Sequence, residues 1–224
     1  VHIGSQILDL EPFRQAYGRI GELVSALRDD GHTIDHLDLG GGLGIPYEDE
    51  IPPTPEAYGD MVKSVLGDIG CRLTLEPGRF IAGNAGILVM RVLYIKDGRA
   101  RNFVITDAAM NDLIRPALYQ AEMAVIPQQL PNGGMQADDT KTWDIVGAIC
   151  ETGDFLAKDR VLALAEGDIL AITGAGAYGF TMSSNYNSRP RASEVMVSGN
   201  NHQLIRKRET VEALYADEIL WQDK

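Results

Sequence analysis

Four glycines in five positions, Gly40-Gly41-Gly42-Leu43-Gly44, follow directly on a short strand read from Ile34 to Leu39. Glycine at that density extends neither a helix nor a strand, because the unrestricted backbone loses too much entropy on ordering. It marks a sharp turn at a strand end. Such a turn lets backbone N–H groups converge on an anion with no Cβ in the way, or lets two backbones meet at close range. Both readings stand on the glycines alone. No Gly-Lys-Ser/Thr follows, and the full GxGxxG spacing with a downstream acid is absent, so neither a Walker loop nor a dinucleotide fingerprint is present.

The surrounding periodicity alternates. Residues 9–30 place Leu10, Phe13, Tyr17, Ile20, Val24 and Leu27 at three- and four-residue spacing, which predicts an amphipathic helix stopped at Gly31. Thr54-Pro55-Glu56 reads as a helix start: hydroxyl cap, proline in the first turn, carboxylate at the positive end. That helix runs to about Ile69, and a strand over residues 72–75 ends at Glu76-Pro77-Gly78-Arg79. The opening Val1-His2-Ile3-Gly4-Ser5 reads as the end of a strand entered midway, with further chain expected upstream. Residues 1–86 thus have the rhythm of parallel βα units, whose functional groups gather at strand ends. After residue 86 the texture changes. Short apolar runs at 87–94, 102–106, 143–150, 168–173 and 194–197 are separated by turns such as Lys96-Asp97-Gly98, Asn132-Gly133-Gly134 and Ser198-Gly199-Asn200. Residues 87–224 therefore read as a mainly antiparallel β domain, closed by a short helix over residues 210–218.

Composition excludes several classes. The net charge of −12 leaves no basic stripe for nucleic acid, and Arg206-Lys207-Arg208 reads as a solvated face. Two cysteines and four histidines without ligand spacing predict neither a disulfide scaffold nor a metal site. No apolar run approaches the length of a membrane span, and a cytoplasmic enzyme fits these facts. At the strand ends, Glu76 on an apolar strand calls for a cation or donor, and Arg79 offers a planar fork for phosphate or carboxylate, or for an internal Glu76–Arg79 pair. His2 could stack on a flat ring and Ser5 could donate to phosphate, although a histidine on an apolar strand is more often a core residue.

Taken together, HIGS at 2–5, GGGLG at 40–44 and EPGR at 76–79 resemble, in that order, the barrel domain of the pyridoxal-phosphate-dependent decarboxylases that include the ornithine and diaminopimelate enzymes. The resemblance continues through Leu113-Ile114-Arg115-Pro116-Ala117-Leu118-Tyr119, Cys150-Glu151-Thr152-Gly153-Asp154 and Gly174-Ala175-Gly176-Ala177-Tyr178-Gly179. It implies an α/β plus all-β chain: the last three βα units of a TIM-type barrel over 1–86, then the C-terminal β domain over 87–224. It implies pyridoxal 5'-phosphate as cofactor. His2 would stack on its ring. Ser5, Gly40, Gly41, Gly42, Gly78, Arg79 and Tyr178 would hold its phosphate, and Glu76 would pair with its pyridine nitrogen. Arg79, Arg115, Tyr119, Glu151 and Tyr178 would contact an amino-acid substrate. Cys150 would be the catalytic acid, entering the site of a partner subunit in a homodimer.

A substrate with a second amine and carboxylate at its far end needs a distal cation and a distal anion. Arg79 and Arg115 with Glu151 supply both, which favours the diaminopimelate branch, lysine being the product. An ornithine, lysine or arginine enzyme is the alternative within the family, and a non-catalytic homologue that binds partners is the alternative outside it. The family's cofactor-carrying lysine is expected on an early barrel strand. Lys63, Lys96, Lys141, Lys158, Lys207 and Lys224 all lie on a helix, in turns or in polar runs. The 224 residues alone are therefore expected to be inactive and to need an N-terminal half that carries that lysine.

Overall fold

The computed structural model describes residues 1–128 and 140–221. The turn expected at Asn132-Gly133-Gly134, and Lys224, lie outside these residues. The chain divides into two compact units, Val1–Gly86 and Ile87–Lys224. No helix among the described residues is long and apolar enough to cross a membrane.

In the first unit, α1 (Glu11–Asp29) is followed by β1 (His36–Asp38), α2 (Pro55–Leu66), β2 (Arg72–Thr74) and the short α3 (Gly78–Ala82). The cap expected at Thr54 forms, its hydroxyl accepting the Ala57 N–H at 3.2 Å, with Pro55 in the first turn. β1 and β2 pair in parallel, His36 opposite Arg72 and Asp38 opposite Thr74, so α2 is the crossover between them. One core serves both helices: Phe13 and Tyr17 of α1 meet Tyr58, Met61, Val62 and Leu66 of α2, with Leu39 and Leu43 beneath. Phe13 and Tyr58 meet edge to face, centroids 5.3 Å apart at 84°. The Tyr17 hydroxyl, fully buried, lies 2.6 Å from the Tyr58 hydroxyl and 3.2 Å from the Leu39 carbonyl. Arg28 staples the far end, donating to the carbonyls of Ile34 at 2.5 Å and Ile69 at 2.7 Å.

The chain opening departs from expectation. Residues 1–5 lie outside any regular strand, and only an isolated parallel bridge joins Ile7 to Leu43. Gly4 at φ +137° and Gln6 at φ +58° turn the backbone away before a ladder can repeat. Regular pairing in this unit is confined to β1 and β2.

The second unit contains β3 (Leu88–Lys96), β4 (Asn102–Thr106), α4 (Arg115–Tyr119), β5 (Val125–Pro127), β6 (Lys141–Val146), β7 (Phe155–Leu162), β8 (Ile169–Ile172), β9 (Glu194–Ser198) and β10 (Asn201–Arg206). Six strands form one sheet in the order β5-β8-β3-β4-β6-β7, antiparallel at every step except β4–β6. The inward positions Met90, Val92, Val104, Trp143, Ile145, Leu156, Leu170 and Ile172 are buried. β9 and β10 form a separate hairpin across Gly199 at φ +58°.

Three expectations are corrected here. The strand read over 143–150 begins at Lys141 and stops at Val146, which places Cys150 in a loop. Beyond Val146 the backbone turns off the sheet: the Ile149 N–H is captured at 2.8 Å by the Asp154 carboxylate rather than by a neighbouring strand. The helix read over 210–218 is reduced to a 3-10 turn, Glu212–Leu214. Thr210 still caps Ala213, but Val211 and Tyr215 are exposed, and without a packed apolar face a short helix is not stable. Lys141 and Lys158 lie in strands β6 and β7, and Lys96 ends β3, rather than in turns or polar runs. The reading of Arg206-Lys207-Arg208 as a solvated face holds, all three being exposed, and Arg206 also pairs with Glu194 across the hairpin and lies over the Phe180 ring.

Candidate functional site

In the first unit, three separated segments meet. The Glu76 N–H donates to the Gly40 carbonyl at 2.7 Å, which ties the end of β2 to the glycine run after β1. On the other side, the Ile7 N–H donates to the Gly42 carbonyl at 2.9 Å, and the Val1 nitrogen to the Asp38 carbonyl at 2.6 Å. The glycines are what make this approach possible. A Cβ on Gly40 would fall 2.0 Å from the Val1 carbonyl oxygen, one on Gly41 2.1 Å from that of Glu76, and one on Gly42 2.3 Å from that of Gly4. The run is therefore a backbone crossing in its own right, and two of its members, Gly40 at φ +69° and Gly42 at φ +102°, also need left-handed backbone.

The side chains around the crossing divide sharply. Arg79, in the first turn of α3, donates to the Ser5 hydroxyl through Nε at 3.2 Å and Nη2 at 2.9 Å, and through Nη1 to the Tyr47 hydroxyl. Its guanidinium lies 5.6 Å from the Tyr47 ring centre. Glu76 is exposed rather than buried as expected, and no salt bridge among the described residues joins it to Arg79. Its neighbour Gly78 donates to the Glu76 carbonyl at 2.8 Å, closing the Pro77 turn. His2 is exposed. Ser5 and Arg79 therefore form a cationic, donor-rich corner, and the Glu76 carboxylate stands free of that pair.

In the second unit, Cys150 lies exposed in the loop between β6 and β7. Asp154 fixes this loop: its buried carboxylate accepts the Ile149 N–H at 2.8 Å and, from another segment, the Met110 N–H at 2.7 Å. The adjoining Glu151 accepts the Tyr186 hydroxyl at 3.0 Å and faces the Gly153 N–H at 3.4 Å. The Glu151 carboxylate holds that proton on Tyr186 and raises the phenol above its ordinary range. Beside the loop opens a cavity of about 320 Å³ lined by Phe103, Ile105, Val146, Ile149, Glu151 and Phe155 among others.

Arg115 begins α4 and is buried, its Nη1 3.7 Å from the Met123 sulfur, whereas Tyr119 at the end of the same helix is exposed. Tyr178 sits at φ +60° in the glycine-rich loop after β8. Ahead of α4, burial holds the Asp112 carboxyl above its ordinary range although Arg189 lies 3.8 Å away. Asn111 ties this region to the segment that carries Tyr186: its carbonyl accepts the Ser184 N–H at 2.9 Å and its side-chain oxygen accepts Arg189 Nε at 2.9 Å.

Of the residues that the resemblance assigns to one site, Ser5, Gly40, Gly41, Gly42, Glu76, Gly78 and Arg79 lie together at the crossing in the first unit, and Cys150 and Glu151 lie together in a loop of the second. Sequence reasoning missed Tyr47, Asp154 and Tyr186. Tyr47 and Tyr186 are lone aromatics in polar loops and carry no local signal; Asp154 was the last residue of a quoted motif, and only its burial reveals its work. Among the described residues no cluster of three or more His, Cys, Asp or Glu side chains could hold a metal.

Known proteins share the sequence and fold of this chain. Residues 13–176 match the family model of the pyridoxal-dependent decarboxylase C-terminal sheet domain. Diaminopimelate decarboxylase of Vibrio cholerae is 52% identical over 219 residues, covering 96% of this chain and 51% of its own. That of Pseudomonas aeruginosa is 54% identical over 222 residues, covering 98% and 52%. Among solved structures, AQ1208 from Aquifex aeolicus superposes with a TM-score of 0.90 at 46% identity, over 96% of this chain and 53% of that one. Diaminopimelate decarboxylase from Helicobacter pylori, complexed with L-lysine, does so at 0.88 and 38% identity, over 96% and 52%. The chain spans about half the length of the curated relatives it matches. With a family match over residues 13–176, most of its length, the chain belongs to the pyridoxal-dependent decarboxylase family.

Proposed function

We propose that this chain supplies the cofactor-phosphate, ring-nitrogen and substrate contacts of an enzyme that converts meso-2,6-diaminopimelate to L-lysine and carbon dioxide. The observation that carries the reading is the convergence of Ser5, the glycine run, Glu76 and Arg79 in the first unit. In this reading residues 1–86 are the last three βα units of a TIM-type barrel and residues 87–224 its C-terminal β domain.

The residues present fit pyridoxal 5'-phosphate. Ser5 and Arg79 offer a hydroxyl and a guanidinium already held 2.9 Å apart, a donor set matched to a phosphate. Gly41 and Gly42 carry no side chain over their backbone N–H groups, while those of Gly40 and Gly78, assigned to the phosphate on the family pattern, are bonded to the Asp38 carboxylate and the Glu76 carbonyl. Glu76, standing apart from that cationic corner, is suited to hold a proton on the pyridine nitrogen. When bound, the protonated ring withdraws the electron pair left as carbon dioxide departs. His2 is assigned to the ring face and Tyr178 to the phosphate, both on the family pattern. None of the described lysines is assigned to carry the cofactor; Lys63, the one in the first unit, is exposed on α2 beside Asp60.

Arg79 and Arg115 would bind the distal carboxylate, with Tyr119 and Tyr178 alongside, and Glu151 would bind the distal ammonium. Cys150 would return a proton to the substrate carbon as a general acid, a task that calls for the thiol on an accessible loop. The names of the close relatives support diaminopimelate as the substrate. The same reading includes a cytoplasmic homodimer, with Cys150 and Glu151 serving the partner's site.

The test is a substrate panel on the intact protein with added pyridoxal phosphate. Release of carbon dioxide from diaminopimelate should exceed that from ornithine, lysine or arginine by at least about 100-fold in kcat/KM, the scale reached when a buried charged group is left unpaired. Preference for any of the other three would overturn the substrate assignment.

A further inference from the structure

We propose that Tyr186 is a positioning residue for Glu151, aiming its carboxylate at the distal ammonium of the substrate and so helping to set selectivity for a diamino acid. This rests on the reading of Glu151 as the ammonium contact and adds a residue to it.

Two geometric observations carry the inference. The first is the contact itself: the Tyr186 hydroxyl reaches Glu151 Oε2 at 3.0 Å, while among the described residues Oε1 faces the Gly153 N–H at 3.4 Å. An ionised carboxylate has about four acceptor sites. One strong and one weak donor fix the direction of the group and leave sites over for an ammonium, which brings three N–H donors. The identity of the donor matters. A lysine or arginine in place of Tyr186 would neutralise Glu151 and compete with a cationic ligand, whereas a phenol orients the carboxylate and leaves its charge intact. The raised phenol pKa keeps Tyr186 a neutral donor throughout the physiological range.

The second is the way the Tyr186 segment is anchored. Two residues that follow it, Asn187 at φ +59° and Ser188 at φ +55°, adopt left-handed backbone that non-glycine residues seldom adopt. Such strain persists only where the surroundings enforce it. Here they do. Ser184 and Arg189 are both bonded to Asn111, Arg189 also donates to the Asp107 carbonyl at 2.6 Å, and Asn185 donates to Glu209 at 2.6 Å. Tyr186 itself is 48% exposed, so burial of the ring does not explain why the backbone on either side is held so firmly. A fixed backbone presenting a hydroxyl to a carboxylate next to Cys150 is the arrangement expected of a preorganised support.

The experiment is a double-mutant cycle on the intact holoenzyme with Tyr186→Phe and Glu151→Gln. Each variant is assayed on diaminopimelate and on 2-aminopimelate, which lacks the distal amine, and its fold is checked by thermal midpoint. Tyr186→Phe keeps the ring and removes only the hydroxyl. The expected result is a rise of about tenfold in KM for diaminopimelate, the usual scale for a hydrogen bond to a charged group. The kcat should stay within about twofold, 2-aminopimelate should be unaffected, and the substitution should have no further effect in the Glu151→Gln background. A merely structural role for Tyr186 would lower the thermal midpoint and affect both substrates alike, which overturns the proposal. A large effect of Glu151→Gln with none from Tyr186→Phe overturns the role of Tyr186 and leaves Glu151 in place. No effect of Glu151→Gln on KM for diaminopimelate overturns the reading of Glu151, and this inference with it.

Discussion

Gly41 and Glu76 meet backbone to backbone: a Cβ on Gly41 would stand 2.1 Å from the Glu76 carbonyl oxygen. No rotamer change relieves that clash, because the obstructing atom belongs to the main chain. Gly41→Ala should therefore cost roughly 2–3 kcal/mol, the upper range for overpacking. Gly59 in α2 makes the contrast, since nothing lies within 4 Å of its would-be Cβ. Gly59→Ala should stabilise by roughly 0.5–1 kcal/mol through helix propensity. Thermal midpoints of the two variants should move in opposite directions, and a Gly41→Ala midpoint at or above wild type would show that the crossing is looser than this.

The Tyr17 hydroxyl has one proton, so when it donates to the Leu39 carbonyl the Tyr58 hydroxyl must donate to it in turn. Tyr17→Phe strands two groups, the Leu39 carbonyl and the Tyr58 proton, and should cost about 1–3 kcal/mol. Tyr58→Phe strands none and should cost less. Burial pushes the Tyr17 phenol well above its ordinary value. A pKa raised on folding gives stability that is complete below the unfolded value near 10 and declines as pH rises beyond it. Denaturant titrations from pH 9 to 11 should show that alkaline decline in wild type and a shallower one in Tyr17→Phe.

What the sequence disclosed was what short stretches encode. The spacing of Phe13, Tyr17 and Val24 marked α1, Thr54 and Pro55 marked the start of α2, and the glycine and EPGR runs marked the two strand ends that meet. The failures are non-local. β7 escaped notice because Lys158-Asp159-Arg160 interrupts its alternation. Asp159 turns at φ +54°, and its N–H bonds to Asp144, a buried carboxylate on β6 that also pairs with Arg101. The run over 143–150 looked continuous because nothing local announces that Asp154 captures the Ile149 N–H. Residues 210–218 carry helical propensity, but the packing partner that a helix requires is not encoded within them.

Glu209 predicts an acid response. It accepts the Arg191 N–H at 2.9 Å, the Asn185 amide at 2.6 Å and Arg191 Nε at 2.9 Å, and these donors lower its pKa from 4.5 to about 2. A pKa lowered on folding gives stability that is present above the unfolded value and lost as pH falls through the folded one. Wild type should therefore lose stability from this group between about pH 4.5 and 2. Glu209→Gln, which does not titrate, should be less stable at neutral pH and flatter across that window. Equal slopes for the two proteins would mean that the Arg191 clamp does not persist in solution.

Asp154 couples two loops through two carboxylate oxygens, Oδ1 to the Met110 N–H and Oδ2 to the Ile149 N–H. Asp154→Asn preserves the shape but replaces one acceptor with an NH₂ group that must face an N–H donor. One buried backbone donor then goes unpaired, at a cost of about 1–3 kcal/mol. The local consequence follows from which end the amide turns. If its oxygen stays with Met110, the N–H of Ile149 is released and the Cys150 loop loosens; if it stays with Ile149, the loosening falls on the segment leading to α4. Amide hydrogen exchange in Asp154→Asn should therefore accelerate at Met110 or at Ile149 but not equally at both, and the faster site names the loop that has lost its anchor. Unchanged exchange at both positions would show that neither loop depends on this carboxylate.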